Sequence, residues 1–225
     1  MKKFCTALAA LAFSFLTQAA HAEVISLGSL SYSTNANPAA QWNFASPAQN
    51  DIFIEFTVSY TGALQNNDFA VFYFGNSTGP NIGMKANCDG ACTNDLFVRM
   101  GGAGWSPFNY INPLDAQPEP ASYHLFGRLS KTGSSGNYNR FDLWFNPTAA
   151  EKASLTGWDA YATGNSGYSS FSSFGIRTAN LDAGDTVNFN DVTINAVPEP
   201  GTVSLLGLAF VGMAAMRRRR ARPAA

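Results

Sequence analysis

Between Glu23 and Ala196 few residues could do chemistry: Glu23, Glu55, Glu119 and Glu151, one histidine, His124, and two cysteines, Cys88 and Cys92. Two carboxylates about 5 to 10 Å apart can hydrolyse a glycosidic bond, one as acid and the other as base or nucleophile. Glu55 stands by itself on the polar side of "DIFIEFTVSY", where a solvated surface carboxylate is the expected role. His124 falls in a strand-like stretch, and no serine and aspartate around it compose a triad. "MGGAGW" follows a strand but opens no helix, so it is no phosphate loop. The expectation is a protein that is not an enzyme.

Cys88 and Cys92, in "NCDGACTND", are separated by three residues. A thioredoxin-like pair has two between them, and zinc needs two further ligands. In an exported chain a small-loop disulfide is expected, one that pins a turn rather than the fold. Calcium, which takes hard oxygen ligands, is the candidate cofactor. The same segment offers Asn87, Asp89, Asn94 and Asp95, and "LDAGDTVNFND" offers Asp182, Asp185 and Asp191. Neither has the EF-hand spacing, and Asp, Asn and Gly clusters also build ordinary turns. Aromatic residues give the other candidate site. Trp105, Phe108 and Tyr110 lie in one loop-like stretch, and Trp158, Tyr161 and Tyr168 in another. Such rings serve either as stacking platforms for sugars or as plugs for the ends of a β-sandwich.

The elements that must position these residues are strands. "DIFIEFTVSY" alternates apolar and polar residues, with Phe53 the one exception, and reads as a half-buried antiparallel strand. "FAVFYF" is apolar on both faces and belongs at the centre of a sheet. "LFVRM", "SYHLFGRLS", "YNRFDLWFN" and "FSSFGIRT" follow, the middle two joined by the turn "KTGSSGN". In "TVNFNDVTI" the apolar phase slips by one, so a bulge at Asn190 and Asp191 is expected to keep Val187, Phe189, Val192 and Ile194 on one side. The best helix candidate is "PTAAEKASL", about two turns long. The fold class is all-β, an antiparallel sandwich or barrel.

Composition agrees with one globular domain: 46% of residues are hydrophobic and 13% charged. The formal net charge of −1 hides a segregation of charge. Without the basic residues of the two ends and Glu199, seven basic residues face 14 acids, a net charge of about −7. An acidic body with no basic cluster argues against nucleic acid as a partner.

The ends are export signals. "MKK", the apolar "FCTALAALAFSFL" and the small residues Ala20 and Ala22 read as a signal peptide over residues 1–22. A single domain follows over residues 23–196. Residues 197–225 hold Pro198, Glu199 and Pro200, an uncharged apolar stretch and the cluster Arg217, Arg218, Arg219 and Arg220. The apolar stretch is marginal for a membrane span, and the arginines place its end in the cytoplasm.

This order of motif, short helix and arginines resembles the PEP-CTERM sorting signal of Gram-negative bacteria. The resemblance implies an exosortase as partner, transient anchoring in the inner membrane, and a final place at the cell surface or in the extracellular matrix with exopolysaccharide and biofilm. "RFDLWFNPT", "FGIRT" and "VNFNDVTI" resemble the closing strands of concanavalin- and laminin-G-like jelly rolls. That resemblance implies a jelly-roll-like β-sandwich. The glycoside hydrolases of that fold carry E-x-D-x-x-E on one strand, and no glutamate of this body sits in such a frame. The expected role is structural or adhesive, with polysaccharide as a candidate partner and Trp105, Tyr110, Trp158 and Tyr161 as candidate stacking residues. The alternatives are a secreted carbohydrate-active enzyme and a purely architectural surface protein.

Overall fold

The computed structural model describes residues 22–62, 68–85, 96–101, 109–111 (backbone only) and 122–197. Ala22–Val197 form one compact unit. Its strands are β1 (Glu23–Tyr32), β2 (Ala36–Ala48), β3 (Ile52–Thr61), β4 (Phe69–Phe74), β5 (Asn81–Lys85), β6 (Leu96–Arg99), β7 (Asn109–Ile111), β8 (Ser122–Ser130), β9 (Arg140–Phe145), β10 (Ala160–Thr163), β11 (Phe171–Ala179) and β12 (Thr186–Ala196). Two six-stranded sheets result, one ordered β1-β12-β3-β8-β9-β10 and the other β2-β11-β4-β5-β6-β7. Every pairing is antiparallel, and the sheets form a jelly-roll-like sandwich.

The period-2 pattern decides which face each side chain takes. In β3, Ile52, Ile54, Phe56, Val58 and Tyr60 are buried, and the residues between them are half-buried on the outer face. β4 lies inside the second sheet and is buried throughout, as its two apolar faces require. Ala70, Phe72 and Phe74 join the main core. Phe69 and Val71 pack with Phe97 in a second cluster on the opposite face, where the Arg99 and Arg177 guanidiniums each stand 5.4 Å from the Phe69 ring.

The expected bulge is present. The β12–β3 register shifts between Asn190 and Thr193, Asp191 takes φ 54°, and Val187, Phe189, Val192 and Ile194 are all fully buried. The β8–β9 turn is closed by Asn139, whose side-chain oxygen accepts from the Thr132 N–H at 2.7 Å. The helix α1 (Ala149–Ser154) is shorter than the stretch that suggested it. Thr148 and Glu151 form a capping box at its start, and Leu155 ends it in the left-handed region at φ 55°. Among the described residues no helix is long and apolar enough to cross a membrane. The apolar stretch after Pro200 lies outside them, as do Ala20, Pro198, Glu199, Pro200, Arg217 to Arg220, Cys88, Cys92 and Trp105.

The sheets are joined by rings. Phe72 of one sheet meets Phe56 and Phe189 of the other at centroid distances of 5.1 and 5.0 Å, and those two meet each other at 5.5 Å. Truncating a ring at this junction removes its burial and leaves a cavity. Phe72→Ala is expected to destabilise the sandwich by about 3 to 5 kcal/mol in equilibrium denaturation. A loss below about 1 kcal/mol would mean that the two sheets do not depend on this contact.

Candidate functional site

The outer face of the first sheet gathers most of the chemistry. Register sets its rows. Thr193, Glu55 and Phe126 lie side by side on β12, β3 and β8, with Trp144 next on β9. The adjacent row runs Asn195, Phe53, Arg128, Asp142 and Tyr161, reaching β10. The segment bearing α1 is fastened to this face. The Trp144 indole N–H donates to the Thr156 carbonyl at 2.9 Å, and the Asp159 carboxylate accepts from the Phe145 N–H at 2.7 Å.

One end of the face is an aromatic platform. Trp158 and Tyr161 are each 41% exposed, and with Val24 they are the large apolar side chains most open to water among the described residues. Their rings meet edge to face at 6.2 Å. The Arg140 guanidinium sits 4.6 Å from both ring centroids, and its Nε donates to Asp142 Oδ1 at 2.6 Å. Burial raises the Asp142 pKa, and the hydrogen bond and charge of Arg140 oppose that rise. The two rings are thus held open by a cation that is itself held from below.

The other part is a groove beside α1. Glu55, Thr57, His124, Asp191 and Thr193 line a cavity of about 520 Å³. A second cavity of about 410 Å³ shares Glu55 and Thr193 with it and adds Phe53, Phe126, Lys152 and Leu155. Phe53 and Phe126 stack at 5.8 Å with ring planes 6° apart. Glu55, expected to stand alone, does not. Its Oε1 accepts from His124 Nε2 at 2.8 Å and from Lys152 Nζ at 2.7 Å. His124 sits on the neighbouring strand and Lys152 on α1, 69 and 97 residues away, so only strand register and the placement of α1 reveal the contact. Desolvation pushes the Glu55 pKa up, but the hydrogen bonds and charges of Lys152 and His124 outweigh it and hold the carboxyl below its ordinary value. At neutral pH Glu55 is an ionised acceptor, suited to hold a hydroxyl rather than to give a proton.

The bulge turns Asp191 toward this groove. The candidate calcium ligands stand apart. Asp182 and Asp185 share one turn, in which the Asp182 N–H donates to Asp185 Oδ2 at 2.9 Å. Asp191 stands six residues beyond Asp185 along β12, about 20 Å in extended chain. Among the described residues no three His, Cys, Asp or Glu side chains converge as a metal-binding group. Tyr110, a candidate stacking residue, lies on β7 opposite Phe97 of β6, in the second sheet rather than the first, and β7 runs next to β10, the strand of Tyr161.

The class defined so far is an all-β sandwich whose last strand leads directly into a Pro-Glu-Pro tail. Residues 196–220 match the PEP-CTERM protein-sorting motif, so this is an exported protein, anchored in the membrane until an exosortase processes it. No curated protein matches the chain in sequence. Among solved structures it is similar to the VIP36 exoplasmic/lumenal domain bound to Ca2+ and Man3GlcNAc, with TM-score 0.49 and 9% identity over 78% of this chain and 86% of that one. It is also similar to a Lotus tetragonolobus seed lectin, with TM-score 0.47 and 6% identity over 80% and 94% of the two chains. A functionally unknown protein from Saccharomyces cerevisiae gives TM-score 0.47 and 10% identity over 81% and 98%.

The Glu55 contacts have a pH signature. A carboxyl whose folded pKa lies below its unfolded value adds stability above the unfolded pKa and loses it as pH falls through the folded one. The denaturation midpoint of the native chain is therefore expected to fall more steeply from about pH 5 to pH 3 than that of Glu55→Gln. Parallel curves would show that Lys152 and His124 contribute nothing through Glu55.

Proposed function

We propose that the sandwich is a lectin-like matrix protein that binds extracellular polysaccharide through the outer face of its first sheet. Its role is structural or adhesive, in the exopolysaccharide of a Gram-negative biofilm. The observation that carries this reading is the Trp158–Tyr161 pair. Two large rings left exposed side by side, and stiffened by Arg140, cost solvation that the core does not demand. Sugar rings present apolar C–H faces that stack on such surfaces, while their hydroxyls need acceptors and donors nearby. Glu55, Thr57, Thr193 and Asp191 supply these in the groove, three to four strands and about 15 to 20 Å from Tyr161, so the ligand of this reading is a chain of several sugars that spans both. Catalysis is not part of the reading, because Glu55 is held ionised and a glycosidase needs a proton donor.

In the same proposal the signal peptide leaves after Ala22, Cys88 pairs with Cys92 in the exported chain, and calcium is not required. The test is a glycan array and an exopolysaccharide pull-down on the secreted chain, with and without EDTA. Trp158→Ala and Tyr161→Ala are each expected to weaken saturable binding about tenfold, which corresponds to ~1.4 kcal/mol. Binding that neither change affects, or no binding by a folded sample, removes the carbohydrate reading. Loss of binding in EDTA would bring calcium back, and release of reducing ends from a bound polysaccharide would favour the enzyme.

A further inference from the structure

The fold limits where the tail can be cut, whatever the outer face binds. β12 is an interior strand, and Ala196 pairs with Glu23 on one side and Ile52 on the other. One residue further, the Val197 N–H donates to the Asp51 carbonyl at 3.0 Å. Both neighbours of this ladder end are themselves tied. The Asp51 carboxylate accepts from Arg128 Nε at 2.8 Å, and the Glu23 carboxylate accepts from the Ala45 N–H of β2 at 2.9 and 3.0 Å. Pro198 has no N–H to continue the ladder. The sorting motif begins inside this arrangement, since its match starts at residue 196 and Pro198 follows Val197 without a spacer.

Enzymes that cut or transfer a peptide commonly take it as extended chain, using main-chain hydrogen bonds. Upstream of Pro198 those bonds are already spent on β1 and β3. We infer that the end of β12 is the upstream limit of the processing site: the cut falls at the Val197–Pro198 bond or beyond it. The folded sandwich slows this step by withholding the residues before the motif. They become available only when the terminal pairs fray, an opening far cheaper than global unfolding. The step breaks one peptide bond. The carbonyl carbon on the domain side takes the oxygen of water or the nitrogen of an amine acceptor, and the tail departs with a new amino group.

The test uses the full chain expressed in cells that carry the exosortase, with pulse-chase for the rate and mass spectrometry for the new C-terminus. The native chain is expected to end at Val197 or later. A short Gly-Ser spacer between Val197 and Pro198 is expected to speed processing severalfold. The same spacer placed between Ser134 and Ser135, in the turn between β8 and β9, should leave the rate unchanged. A C-terminus upstream of Val197 overturns the limit. A rate that the first spacer leaves unchanged or lowers overturns the gating, as does an equal gain from the second.

Discussion

The structure depends on one topological constraint: the final strand of the domain is an interior strand. β12 lies between β1 and β3, so the first sheet closes only when the last residues of the domain arrive. Its pairings join sequence positions as distant as Glu23 and Ala196. Loop-closure entropy for such contacts is lost before the contacts form, so the two halves of the sheet wait on a segment made last. The same strand supplies Val187, Phe189, Val192 and Ile194 to the core and Thr193 and Asp191 to the groove. The bulge reconciles these duties. Without the extra residue, every side chain on one half of β12 would swap faces.

A second constraint is electrostatic. Every described lysine and arginine has an intramolecular partner. Arg128 meets Asp51, Arg140 meets Asp142 and two rings, and Lys152 meets Glu55. Lys131 stands over Tyr138, and Arg177 over Phe69. Arg99 is buried, and desolvation together with the nearby Arg177 charge lowers its pKa to about 10. Its Nε donates to Asn81 Oδ1 at 2.8 Å, which keeps the buried cation hydrogen-bonded. These cations are engaged within the domain, and the exposed rings of Trp158 and Tyr161 stand out on its surface.

How much of this the sequence discloses follows from which contacts are local. The alternation in β3, the two apolar faces of β4 and the phase slip in β12 are properties of short windows, and each finds its place in the sandwich. β1 and β2 are hard to read because their alternation is weak and β2 contains Pro38 and Pro47. Both strands lie at sheet edges, where a missing N–H is tolerated. The site divides in the same way. Trp158 and Tyr161 announce themselves by residue type in turn-rich sequence, whereas Arg140 beneath them depends on the β9–β10 pairing. Glu55 with His124 and Lys152 depends on register and on the placement of α1, and no window of sequence contains all three. The polar alternation around His124 could have placed it on the outer face, but not beside Glu55.

Register also connects the platform to the chain's exit. The Val197 N–H holds the Asp51 carbonyl, the Asp51 carboxylate holds Arg128, Arg128 lies opposite Asp142, and Asp142 holds Arg140 beneath the two rings. Two links of this row are charge-assisted, Asp51 with Arg128 and Asp142 with Arg140; the others are a main-chain hydrogen bond and strand register. Such a row invites the idea that processing alters binding. Coupling, however, requires an element with two arrangements that both sites bias. Strand pairing on both sides fixes the register of Arg128 and Asp142. Its physical consequence is stiffness: Asp142 holds Arg140 beneath the two rings from a strand that is paired with β8 on one side and β10 on the other.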